Sequence, residues 1–318
     1  MNNEFLQDNP LIILTGPTAV GKSGLSLQLA KILNGEIISA DSMQVYRGMD
    51  IGTAKLMPSE MQGIPHHLID ILDPTEAFDV TLFQKLAGDA VREISDRGHV
   101  PILVGGTGFY IQALLYGIDF TEEPANEIRK QLEEQAKCEK GRNALVEELR
   151  RVDPDALLTI HPNNIRRVIR AIEFYRIHGR PISRHNQEER EKKAAFPFRY
   201  FVLTMEREEL YRRIEGRVEK MLKDGLVDEV RSLMDQGLDQ SFSSMQGIGY
   251  KEILSYLKGD TDYESAVALL KQNTRHYAKR QLTWFRRERD VIFMDRENFR
   301  EDKEILEFML KKIADPSC

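Results

Sequence analysis

The first 120 residues alternate short apolar runs with apolar positions at helical spacing. Leu11-Ile12-Ile13-Leu14 is an unbroken apolar run and reads as a buried strand. Leu25, Leu29, Ile32 and Leu33 then fall at i, i+4, i+7 and i+8, the spacing of one helix face. Glu36 to Ala40 reads as a second strand, Thr81 to Arg97 as a helix, and Pro101-Ile102-Leu103-Val104 as a strand ending at Gly105-Gly106. Strands alternating with helices predict an α/β core whose sheet is parallel.

From Thr121 the pattern changes. Glu122 to Arg150 is highly charged, with Ile128, Leu132, Leu145 and Leu149 at helical spacing. Pro154, Pro162 and Pro181 mark helix starts or turns, and Glu188 to Lys193 is a charged run suited to an exposed helix or linker. Tyr200-Phe201-Val202-Leu203 then returns to the texture of a buried strand. This return predicts that the chain leaves the sheet, builds a helical insertion, and rejoins the sheet. The expected organisation is a sheet-bearing core of residues 1–120 and 198–318 with an inserted all-helical domain at 121–197. Arg207 to Lys312 reads as mostly helical.

Composition narrows the class. With 41% hydrophobic and 30% charged residues, the 318-residue chain can bury a sizeable core. No apolar run approaches the roughly 20 residues that span a bilayer. Met1 to Asn9 lacks a basic n-region, so the expected location is the cytoplasm. Two cysteines, Cys138 and Cys318, cannot build a disulfide framework or a four-ligand zinc site. The net charge of −6 argues against nucleic acid as a partner, but binding follows local fields. His161 to Lys193 holds nine basic against four acidic residues, and Lys271 to Arg289 seven against one. Such runs are either solvated helix faces or contacts for a polyanion.

One motif is specific. Gly16-Pro17-Thr18-Ala19-Val20-Gly21-Lys22-Ser23 matches G-x-x-x-x-G-K-[ST], between a strand and a helix. A chance match in a chain of this length is on the order of one in a hundred from average residue frequencies. Its backbone N–H groups and the helix N-terminus suit a diphosphate or triphosphate, Lys22 neutralises phosphate oxygens, and Ser23 is placed to ligate Mg²⁺. The expected fold is therefore a P-loop NTPase-like parallel sheet flanked by helices. Motors and switches place a magnesium-binding Asp at the end of a second apolar strand. Here that strand ends in Gly105-Gly106-Thr107-Gly108, without an acid.

Asp41, at the end of the second predicted strand, should face the crevice beside the P-loop, as a magnesium ligand, a general base or a turn-forming residue. Thr107 lies in another strand-end glycine turn, with its hydroxyl available to the same crevice or merely closing the turn. His66 and His67 are adjacent, so they point in different directions and suit structural or polar roles rather than a shared metal. Thr274 to Arg286 mixes Arg275, Lys279 and Arg280 with Tyr277, Trp284 and Phe285. The mixture suits stacking on unpaired bases beside phosphate contacts, or an amphipathic helix with its aromatics turned inward.

Together these stretches resemble the tRNA dimethylallyltransferases (tRNA isopentenyltransferases) along nearly the full length. The resemblance rests on Gly16 to Ser23, Ser39 to Tyr46, Ile51 to Lys55, Gly63 to Leu68 and Gly105 to Gly108, then on Arg166 to Glu173, Gly247 to Glu252 and Thr274 to Trp284. Eukaryotic members often add a C-terminal zinc finger, and the chain is similar to the bacterial form without one. The resemblance implies transfer of a five-carbon group from dimethylallyl diphosphate to the exocyclic amine of the adenosine on the 3′ side of the anticodon, with diphosphate leaving. It implies that the P-loop cradles the diphosphate with Mg²⁺ at Ser23, and that Asp41 accepts the amine proton. It further implies that Thr107 and Arg129 occupy transition-state or tRNA-contacting positions. Arg217 would reach the leaving diphosphate, with Arg213 one turn away compatible with the same role. Ser42, Met43, Gln44, Gly247 and Tyr250 would meet a base flipped out of its stack, and Arg166, Arg167, Arg170, Arg275, Lys279 and Arg280 would hold the anticodon stem-loop. The helical insertion would close as a lid over a monomeric enzyme. An adenylate isopentenyltransferase would not need the two basic segments, a small-molecule kinase using ATP would want the missing strand-end acid, and a nucleotide-gated RNA binder would not need Asp41.

Overall fold

A computed structural model of the protein describes residues 10–118 and 127–315. Met1 to Asn9, the start of the charged segment at Thr121 and Glu122, and Cys318 lie outside the described residues. The core is a six-stranded sheet made of β1 (Leu11–Thr15), β2 (Gly35–Ala40), β3 (His66–His67), β4 (Val100–Gly105), β5 (Phe198–Thr204) and β6 (Val291–Asp295). Their order is β3-β2-β4-β1-β5-β6 and every pairing is parallel. β1 is buried at all five positions, as an apolar run in a sheet covered on both faces must be.

The helices are α1 (Lys22–Leu33), α2 (Val80–Asp96), α3 (Gly108–Tyr116), α4 (Glu127–Gln135), α5 (Glu139–Val152) and α6 (Ile165–His178). After them come α7 (Ile182–Glu191), α8 (Arg207–Lys223), α9 (Leu226–Asp235), α10 (Tyr250–Leu257), α11 (Tyr263–Phe285) and α12 (Asp302–Ala314). α1 contacts both β2 and β4 and is also covered by α12, so its buried side is broad: Leu25, Ser26, Leu27, Leu29 and Ala30. Ile32, expected on the buried face from its spacing, lies just beyond that arc and is 50% exposed. β6 is a second departure from the sequence reading. Val291-Ile292-Phe293-Met294 sits inside a stretch read as helical, yet it closes the sheet beside β5.

The chain divides into two compact units, residues 1–115 with 196–318, and residues 116–195. The first holds the sheet. β5 pairs with β1 from Leu11↔Phe198 to Thr15↔Val202, so the chain does return to the sheet after the helical segment. The second unit packs α4, α5 and α6 around Leu132, Leu145, Leu149, Val168, Ile169 and Ile172. Buried Asp153 accepts hydrogen bonds from the backbone N–H of Ala156 at 3.1 Å and of Ser183 at 2.9 Å, tying the start of α7 to the turn after α5.

Candidate active site

The chain runs from β1 to β2 on one side and from β4 to β5 on the other, so the connections diverge at the carboxyl ends of β1 and β4. Open α/β sheets bind their ligands at such switch points. Two glycine turns meet here. Gly16 opens the first with φ +145°, and a Cβ on it would fall 2.3 Å from the Leu203 carbonyl oxygen. The left-handed region and a backbone neighbour both demand glycine there. Gly106, in the second turn, lies close to the Gly16 carbonyl oxygen.

α1 starts from Gly21 with no side-chain cap and no acidic residue in its first turn. Its N-terminal N–H groups are thus left for an external acceptor, and the helix dipole favours an anion. Lys22 is folded back onto its own loop, with Nζ donating to the Gly16 and Pro17 carbonyls at 2.9 Å each. Burial, and then the Arg217 charge, push its pKa down from 10.5 to about 7, against the pull of the Asp41 carboxylate. Arg296, ion-paired with Asp302 at 2.9 Å, packs its guanidinium against Gly21.

A cavity of about 380 Å³ opens beside Thr18. Asp41, Ser42, Met43, Arg217, Gly247, Tyr250, Tyr277 and Arg280, all named from the sequence, line it. Asp41 Oδ1 accepts from the backbone N–H of Met43 at 2.9 Å, so this carboxylate both holds its turn and faces the cavity. Arg213 is exposed and bonded to Glu209 at 2.9 Å, which leaves Arg217 as the α8 arginine at the cavity. Burial pushes the Arg217 guanidinium down from its ordinary value, and Asp41 opposes the shift. The same wall carries Ile214, Val218 and Met221, an apolar row at helical spacing that the sequence reading did not single out.

Two glutamates hold another part of the lining. Glu229 accepts from the N–H groups of Asp50, Ile51 and Gly52 at 2.7–3.0 Å and from the Tyr250 hydroxyl at 2.7 Å. Buried Glu252 accepts from the N–H of Gly249 at 2.8 Å and from Asn273 at 2.7 Å. The stretches Ile51 to Lys55 and Gly247 to Glu252 thus belong to one scaffold around the cavity. Lys55 is buried against the Tyr46 carbonyl, Asp50 and Asp70.

Several expectations change. Gln44 does not face the cavity: its amide bonds Ser39 at 3.1 Å and the Thr53 carbonyl at 3.3 Å, beside a small pocket shared with Ser23 and His66. Phe285 is fully buried and half-buried Trp284 packs on Gly108, so α11 turns these aromatics toward neighbouring elements. Tyr277 does face the cavity. Burial and the Asp41 charge push its hydroxyl up to about 12, with Thr107, Arg280 and Gln281 pulling the other way. Arg280 lies over the Tyr277 ring at 5.7 Å. Arg275 bonds Glu215 at 2.5 Å, and Lys279 is exposed. Arg129, Arg166, Arg167 and Arg170 all lie in the second unit, where Arg129 bonds Glu133 and Glu173 and Arg170 bonds Glu173.

His67 bonds Glu36 at 2.6 Å, and His66 Nδ1 bonds the Ile64 carbonyl at 2.8 Å, so the pair diverges as expected of neighbours on a strand. Among the described residues no cluster of His, Cys, Asp or Glu could hold a metal by itself. Ser23, exposed in the first turn of α1, and Asp41 offer hard oxygens, the donor chemistry that Mg²⁺ takes when phosphate oxygens and water complete its shell. No helix among the described residues is long and apolar enough to cross a membrane.

Comparisons with known proteins identify close relatives of the whole chain. A tRNA dimethylallyltransferase of Lachnoclostridium phytofermentans is 55% identical over 96% of this chain and 98% of its own. One from Geobacillus thermodenitrificans is 50% identical over 90% of each. The crystal structure of a tRNA isopentenylpyrophosphate transferase from Bacillus halodurans superposes with a TM-score of 0.72 at 46% identity, covering 96% of this chain and 97% of the other. A eukaryotic dimethylallyltransferase solved acting on tRNA gives a TM-score of 0.79 at 31% identity, covering 96% and 79%. The sequence profile described as IPP transferase matches residues 44–288, and with relatives this similar over nearly all its length the chain belongs to that family.

Proposed function

We propose that this enzyme transfers the dimethylallyl group of dimethylallyl diphosphate to the exocyclic amine of the adenosine immediately 3′ of the anticodon in tRNA, releasing diphosphate. The observation that carries this reading is one cavity bounded by a P-loop without a partner strand-end acid, by Asp41, and by Arg217. A kinase would want the acid; a prenyl transfer wants a cation-rich anion cradle opposite a base.

The donor's diphosphate binds the loop Gly16 to Ser23, and Lys22 exchanges the Gly16 and Pro17 carbonyls for phosphate oxygens. Arg217 neutralises the charge that grows on the leaving oxygen, where fixed cations in a buried site act most strongly. Mg²⁺ at Ser23 and the diphosphate would supply further charge neutralisation. The apolar row Ile214, Val218 and Met221 suits the five-carbon chain. The amine nitrogen attacks the allylic C1, the C1–O bond to diphosphate breaks, and Asp41 takes the amine proton. The amine is a weak nucleophile because its lone pair is delocalised into the ring, so proton removal must accompany bond formation. The base reaches Asp41 only by leaving its stack. Tyr277, with Arg280 over its ring, offers a surface for it at the cavity. The basic residues Arg166, Arg167, Arg170, Arg275, Lys279 and Arg280 hold the anticodon stem-loop.

The test is labelling of unmodified bulk tRNA by radioactive dimethylallyl diphosphate. Label in the nucleotide 3′ of the anticodon is expected. Label in free AMP, or consumption of ATP alone, would overturn the reading.

A further inference from the structure

Gln281 sits near the C-terminal end of α11, 5% exposed, among residues that the reaction above uses, yet that reaction gives it no part. Its side-chain oxygen accepts from the backbone N–H of Thr18 in the P-loop at 2.9 Å. Its side-chain nitrogen donates to the carbonyl of Gly106 in the second glycine turn at 2.9 Å. The orientation of the amide is unambiguous, because a backbone N–H only donates and a carbonyl only accepts. One side chain therefore staples the carboxyl ends of β1 and β4 across the crevice. The approach is tight enough that a Cβ on Gly106 would fall 2.1 Å from the Gln281 nitrogen. The same helix presents Thr274, Tyr277 and Arg280 to the cavity, and its neighbour Trp284 packs on Gly108.

We infer that Gln281 is a positioning residue that couples the tRNA-facing helix α11 to the diphosphate loop, setting the P-loop where the donor reacts. The inference rests on the prenyl-transfer reading. Its physical basis is that the backbone N–H of the P-loop's third residue, Thr18, is held by a side chain of α11. A helix displaced by an incoming nucleic acid moves Thr18 and Gly106 together. Without the amide the loop keeps its glycines and Lys22 but loses its register against Gly106.

Two variants test this. Gln281→Leu keeps bulk and removes both hydrogen bonds. Gln281→Glu is a titratable copy: protonated, its carbonyl accepts from Thr18 and its hydroxyl donates to Gly106; ionised, it has no donor and opposes the Gly106 carbonyl. The charged or titratable groups around that position are Lys22 from α1, Asp41 from the end of β2, Arg217 from α8, and Tyr277 and Arg280 on α11 itself. They are common to wild type and variant, so the ratio of the two rates at each pH isolates residue 281. For Gln281→Leu we expect kcat/KM for the donor to fall at least 30-fold while the tRNA Kd stays within threefold. For Gln281→Glu we expect the ratio to wild type to rise at least fivefold from pH 8.5 to pH 6. A Gln281→Leu enzyme within threefold of wild type in kcat/KM would overturn the inference. So would a Gln281→Glu ratio that does not change with pH, which marks a residue that only packs, and that result stands even if Gln281→Leu fails to fold. Absence of transfer by the wild type itself would instead refute the proposed reaction.

Discussion

Lys22 allows a quantitative prediction. Its ammonium is buried in the P-loop and repelled by Arg217, which brings its pKa to about 7 in the empty site. At pH 8 an amine of that pKa is about one-tenth protonated, and charging it costs about 1.4 kcal/mol. A bound diphosphate supplies the missing counter-charge, so the bound state holds the proton. Donor binding at pH 8 should therefore take up about 0.9 proton per site, and at pH 7 the lysine should take up about 0.5. At pH 8 the donor's own phosphates are already ionised and contribute almost nothing. Above pH 7 the donor affinity should fall roughly tenfold per pH unit, by the same linkage. Calorimetric titration with dimethylallyl diphosphate in buffers of different ionisation enthalpy, HEPES and Tris for instance, reads the uptake directly. Lys22→Met should abolish it. An observed binding heat at pH 8 that is independent of buffer, or an uptake equal in wild type and Lys22→Met, would refute the reasoning. The sign for stability follows from the same numbers. The unfolded chain keeps this proton up to about pH 10.5 and the folded, empty protein releases it near 7, so between those limits unfolding takes up a proton and this lysine makes stability rise with pH.

Asp41→Asn should keep tRNA affinity and lower kcat by about 10²–10⁴, the range for a removed general base, as measured by single-turnover transfer. Arg217→Ala should lower kcat/KM for the donor by at least tenfold, whereas Arg213→Ala, at an exposed residue paired with Glu209, should stay within threefold. Replacing Arg275, Lys279 and Arg280 together by Ala should weaken tRNA binding and flatten its dependence on salt, the slope falling by about 0.7–0.9 for each phosphate that is no longer neutralised. An unchanged slope would mean that these cations touch no phosphate. Gly16→Ala, placing a Cβ 2.3 Å from the Leu203 carbonyl oxygen at φ +145°, should destabilise the fold by at least about 2 kcal/mol in a denaturant melt.

The linear chain carried its local facts well. Four-residue apolar runs marked β1, β4 and β5, because a strand buried on both faces needs only bulky side chains in succession. The P-loop was legible because its chemistry is made by consecutive backbone groups, with glycine wherever a side chain would collide. Asp41 could be placed at the crevice because strand ends in an open sheet share one edge. β6 was not legible: its apolar run resembles one face of the surrounding helices, and only the open edge of β5 makes it a strand. Ile32 departs from its expected burial since helical spacing gives a face but not its width, and α12 decides the width.

Tertiary structure decided whatever depends on two distant segments. Arg217 and Arg213 are indistinguishable by composition, and one turn of α8 sends one to the cavity and the other to Glu209. Gln44 belongs to a stretch that faces the site, yet it turns back to Ser39 and Thr53 because its amide finds both partners there. Nothing in the sequence distinguishes Gln281 from any other glutamine in a basic helix. Its importance comes from residues 263 and 175 positions away, Thr18 and Gly106, which only the folded sheet brings within reach of one amide. Sequence determines a motif when neighbours along the chain make it; the fold determines a site when neighbours across it do.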